Sequence, residues 1–172
     1  MSNDNSSYAE TATRSWRTGD VLEAGRVICE HLPIRLRPKW AAQLLRLAVL
    51  RSGIRVPAIE HVLYTADDPT EWCHAHRVFS VVRMSTLELE SVPYDNLTTD
   101  QRVLIWLLAI AELVAKVSYN ATDPPDPFDE DSGAWLAPCL KGFVDVLDDE
   151  EFADRALSTL VSGVDLVREA EN

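Results

Sequence analysis

Glycine is scarce in this chain, six in 172 residues, and neither Asn-Gly nor Asp-Gly occurs. No segment alternates apolar and polar residues over a useful strand length. The hairpin and strand signals of an all-β protein are therefore missing. Cysteine is sparse and odd in number: Cys29, Cys73 and Cys139, with no C-x-x-C pair. That excludes a disulfide framework and fits reduced thiols. The N-terminal MSNDNSSYAETATRSW has no apolar stretch of signal-peptide type, so the expected compartment is the cytoplasm. The longest uninterrupted apolar run, Val103–Ala111, has nine residues, against about 20 for a membrane-spanning helix. No G-x-S-x-G, H-E-x-x-H, Walker loop or dinucleotide fingerprint is present, and the chain reads as non-enzymatic.

Positive charge is also in deficit. Sixteen bases face 28 acids, a net charge of -12. The imbalance is graded along the chain: +4 over residues 1–56, -5 over 57–118 and -11 over 119–172. An acidic excess argues against nucleic acid and anionic membrane as partners, both being polyanions.

Helical signals fill most of the chain. The segment TTDQRVLIWLLAIAELVAKVSYN, residues 98–120, is apolar almost all round, interrupted by Glu112 and Lys116 four apart. Such a helix has to be enclosed by other structure. Thr98 with Gln101 has the spacing of a capping box. Earlier, Asp20 with Glu23 predicts a helix start, and Pro33 its end. The alternation in Ile34-Arg35-Leu36-Arg37 predicts an extended link. Pro38 and Gly53 bracket a second helix, and Pro57 opens a third. Asp68-Pro69-Thr70-Glu71 predicts a helix running from residue 69 to about 90, with Trp72, Ala75, Phe79 and Val82 inward. Residues 121–133, with three prolines and five acids, read as a mobile loop. A short helix to about Leu147 and a last one from Asp148 to about Arg168 complete the set. The fold class is all-α: a compact bundle of six or seven helices around the central helix at 98–120. Residues 1–17 form a flexible segment and 18–172 a single helical domain.

Three groupings could carry chemistry. Cys73 and His76, three apart on one helix, could share a metal ion with His31 or His61. The spacings 29/31 and 74/76 point ligands to opposite sides of a helix, and the expectation is no metal and no cofactor. Asp129-Glu130-Asp131-Ser132-Gly133 resembles a calcium loop, but glycine comes one place early and Leu140 stands where the closing Glu should be. The basic residues Arg35, Arg37, Lys39 and Arg46, continued by Arg51 and Arg55, could form a patch able to hold a carboxylate or phosphate. The sequence thus points to a protein-interaction or adaptor module with a protein partner, through that patch or the acidic C-terminal third. A homo-oligomer is compatible with it. The alternative is a metal-dependent helical protein or enzyme using Cys73, His76, and His31 or His61.

Overall fold

Thr98 closes the expected capping box: its hydroxyl accepts from Gln101 N at 3.2 Å, and the Gln101 side chain accepts from Thr98 N at 2.9 Å. The reciprocal bonds satisfy two of the free donors at a helix start. They launch α6, Thr99–Asn120, the longest helix of the computed structural model, which describes residues 4–122 and 130–171. By length and composition α6 could cross a membrane. In this fold it packs on four helices: α3 (Arg37–Ser52), α4 (Pro57–Asp67), α5 (Ala75–Glu90) and α7 (Leu136–Leu147). Leu107, Leu108, Ile110, Ala111 and Val114 are buried along it.

A second group of helices assembles beside the first. It contains α1 (Asp4–Thr18), α2 (Val21–His31), α8 (Glu150–Val161) and α9 (Gly163–Glu171). Both α3 and α7 touch members of each group and join them. One continuous apolar core runs through the whole, with Ile28, Trp40, Leu44, Leu45, Leu136, Leu140 and Phe143 fully enclosed. The protein is an all-α bundle, with nine α-helical segments and no strand among the described residues.

Several expected boundaries moved. Residues 4–18 form α1 rather than a flexible segment, because Ala12 and Trp16 bury themselves against the rest of the fold. A polar sequence with two well-spaced apolar anchors needs only a surface to fold upon. The link 34–36 is a 3-10 turn rather than extended; Leu36 N bonds to Pro33 O at 2.8 Å. Asp20 makes no side-chain cap, and Glu23 pairs with Arg26 at 3.1 Å instead. Asp68 accepts from Thr70 N at 2.9 Å and Thr70 Oγ1 at 2.7 Å, a tight turn that competes with helix initiation. A 3-10 turn at Trp72–His74 follows, and α5 begins only at Ala75.

The last helix starts one residue later than expected. Asp148 adopts the left-handed conformation, φ 49°, that ends α7, and Asp149 caps α8 by accepting from Phe152 N at 3.0 Å. That helix then breaks at Ser162 into α8 and α9. Gly163 faces Ile28 and the Trp40 ring so closely that a Cβ there would lie 2.8 Å from each. Of the proline-rich segment 121–133, residues 123–129 lie outside the described residues, and so does Asp129 of the calcium-like run. Residues Glu130–Gly133 form a 3-10 turn packed on α6 and α2, with Ser132 and Gly133 buried.

Candidate interaction surface

The basic residues singled out in the sequence lie on the 3-10 turn, on α3 and, for Arg55, in the link that follows it, and most are answered by the chain itself. Arg37 Nε donates to Leu32 O at 3.0 Å. Lys39 reaches Glu169 of α9 at 3.5 Å, and Arg46 pairs with Asp67 of α4. Arg51 grips one carboxylate oxygen of Asp149 with Nε at 3.0 Å and Nη2 at 2.7 Å. The Phe152 amide, then Arg51, hold the Asp149 carboxyl below its ordinary pKa. Arg35 and Arg55 stand exposed. The face is thus cross-braced to three other helices of the same molecule: α4, α8 at its cap, and α9.

The histidine and cysteine residues do not come together. His31, at the end of α2, stacks on Tyr8 with ring centroids 4.1 Å apart. Its helix packs on α1, α7 and α9. Cys73 and His76 sit where α5 begins, beside α4 and α6. The His76 Nδ1 lies 3.1 Å from Cys73 O, not from the thiol, and His61 is exposed on α4. Among the described residues no three His, Cys, Asp or Glu side chains converge to hold a metal ion. Cys139 is no better placed for nucleophilic work. Burial, then the nearby Glu112 carboxylate, push its thiol up to about 11, so it stays protonated at neutral pH.

A cleft of about 400 Å³ opens between the start of α6 and α7, lined by Tyr94, Arg102, Trp106 and Asp145 among others. Its polar groups are only partly engaged with one another: Asp145 pairs with Lys141, and the buried Arg102 Nε has no hydrogen-bond partner among the described residues. Trp106 Nε1 donates to Tyr94 Oη at 3.3 Å, and the Arg102 guanidinium sits 5.0 Å from the Tyr94 ring centroid. Arg102 Nη2 also donates to Asp95 O at 3.2 Å. These contacts clasp the 3-10 turn Tyr94–Asn96 onto α6.

The outer face of α5 is different. Ala75, Val78, Val82 and Thr86 form its buried side against α4 and α6. Val81, Met84 and Leu87 face away, with 57%, 63% and 45% of their surface exposed. Arg77 and Glu88 border them, both exposed, and neither side chain has a partner among the described residues. Ser80 and Ser85 turn their hydroxyls back to the carbonyls of His76 (3.0 Å) and Val81 (3.5 Å), which leaves a low surface beside the apolar side chains. Arg83, on the flank, is committed elsewhere, to Glu90 at 3.0 Å and Glu112 at 3.5 Å. This surface escaped the sequence reading, which assigned α5 one inward stripe. The signal was present as a second apolar set, Val81, Met84 and Leu87, repeating every three residues off that stripe.

No known protein family matches this sequence, no curated protein matches it as a relative, and no solved structure matches its fold.

Proposed function

We propose that this protein acts as an interaction module rather than an enzyme, docking an amphipathic helix of a protein partner along the outer face of α5. The observation that supports this reading is three large apolar side chains at helical spacing, exposed on a helix whose other side is anchored in the core. Single exposed apolar residues are ordinary, whereas a row on one rigid element marks a contact surface. Helix-in-groove recognition reads such rows at intervals of three and four. The exposed thioether of Met84 adds an adaptable contact.

The basic α3 patch is the weaker choice for the same role. A partner's carboxylate would have to displace Asp67, Asp149 or Glu169 before binding Arg46, Arg51 or Lys39. Capture from the native host with wild type and with Met84→Asp, compared by quantitative mass spectrometry, tests the proposal. Partners retained by the wild type should be lost from M84D, while R35E leaves them in place. Equal recovery by wild type and M84D would count against the α5 face.

A further inference from the structure

The α5 stripe carries its own complement. With about 100° of rotation per residue, Arg77, Val81, Met84 and Glu88 fall within about 60° of arc. Arg77 and Glu88 are equally far from the midpoint between Val82 and Arg83, and Val81 and Met84 are equally far from that same point. An antiparallel copy of the helix, centred there, therefore sets Arg77 level with Glu88 of the second copy. It also sets Val81 level with Met84 of the second copy. A two-fold axis repeats each pairing, as a self-complementary interface requires. Leu87, on the flank, falls beside the low surface at Ser80 of the second copy.

The charges on α5 give an independent reason. Arg77 lies in its first turn and Glu88 in its last, with no acid in the first turn and no base in the last. Both charges oppose the helix's own dipole, which favours acids at the start and bases at the end. In an antiparallel pair each charge meets the end of the neighbouring helix that it stabilises, along with a side chain of opposite sign. Neither charge is answered by another side chain among the described residues.

Resting on the reading that this face is the docking surface, we infer that its occupant is a second copy of this chain, packed antiparallel along α5. One 16-residue helix, about 24 Å long, offers less contact than the ~800 Å² per partner of a standard interface. The pair is therefore a reversible dimer that forms at high concentration.

Sedimentation equilibrium of the purified full chain from about 5 to 500 µM tests this. Wild type should pass from monomer to dimer. M84D should stay monomeric throughout, with unchanged helical content by circular dichroism. Arg77→Glu alone and Glu88→Arg alone should each weaken the dimer about tenfold, because each dimer contains the contact twice. The double variant R77E/E88R restores opposite charges and should return to within about threefold of wild type. A wild type that remains monomeric at the highest concentration overturns the second copy as occupant. If M84D still loses partners in the capture experiment, the interaction reading survives that result. A dimer indifferent to both charge reversals, or weaker in the double variant than in either single one, overturns the antiparallel arrangement.

Discussion

Two solvent-facing helices of this protein, α3 and α5, carry unlike surfaces. Three bases of α3 are tied to acids of α4, of α9 and of the cap of α8, so that face holds the molecule together. The stripe on α5 has exposed apolar side chains and two end charges without partners among the described residues. Charge in a sequence is thus a poor guide to what is free for binding. The conspicuous run of arginines is largely consumed internally, whereas no described residue engages the side chains of the unremarkable Arg77 and Glu88. Exposed ion pairs are individually weak, about 0–1 kcal/mol. Pairs that link separate helices still compete with any outside ligand for the same atoms.

The largest effect should come from removing what both helices rest on. Leu107 is fully buried in α6, which packs on α3 and α5 alike. Leu107→Ala should cost about 2–5 kcal/mol in chemical denaturation and weaken both surfaces together. A loss under about 0.5 kcal/mol, typical of a surface site, would show that α6 is not their shared support.

A smaller effect belongs to the α3 side alone. Asp149 caps α8 and receives Arg51, so Asp149→Ala should lower the melting temperature at neutral pH without touching self-association. The Phe152 amide and Arg51 hold the folded-state pKa of Asp149 below its ordinary 3.8. A lowered folded pKa contributes stability above the unfolded pKa and loses it as pH falls through the folded value. The gap between wild type and D149A should therefore persist through pH 5 and close only below 3.8. A gap that closes near pH 6 would assign the effect to another group.

On the α5 side the two properties should part company. Arg77→Glu places an acid in the first turn, where the helix dipole favours it by about 0.3–1 kcal/mol. Thermal unfolding at low concentration should show a monomer slightly more stable than wild type, even though the same change weakens the dimer. If R77E lowers monomer stability, Arg77 has an intramolecular role and the comparison between the helices loses its edge. The smallest effect is that of salt on the monomer. With a net charge of -12, screening over about 8–10 Å relieves self-repulsion, and the melting temperature should rise modestly. A clear fall between low and moderate salt would mean that the α3 ion pairs outweigh the repulsion.

Much of the scaffold was legible wherever a local rule acts alone. The Thr98–Gln101 box, the Pro38 start and the Gly53 stop of α3, and the enclosed α6 follow from neighbouring residues. Gly53 takes φ 67°, the left-handed geometry that suits glycine at a helix end. Where the sequence misleads, a distant or competing contact decides. The Asp68-Pro69 start signal is diverted into the Asp68–Thr70 turn. The last helix breaks where Gly163 meets Ile28 and Trp40, partners more than a hundred residues away. The segment 4–18 is helical because Ala12 and Trp16 find a surface that no local pattern announces. The α5 face was illegible for a related reason. That helix is apolar on several sides, and only the positions of α4 and α6 determine which side is left uncovered.

The antiparallel α5 pair is tested most directly by distances between single spin labels on the two copies, measured by electron paramagnetic resonance on concentrated protein with Cys73 replaced by serine. In an antiparallel pair, the separation along the helix grows with distance from the centre at 82/83, at about 1.5 Å per residue counted on both chains. A label at Ser85, close to the centre, should give strong short-range broadening. One at Ser91, just past the end of α5, should give a resolved separation of at least about 25 Å. Equal, short separations at both positions would mean parallel packing, and no intermolecular signal at either would mean that α5 does not meet a second copy.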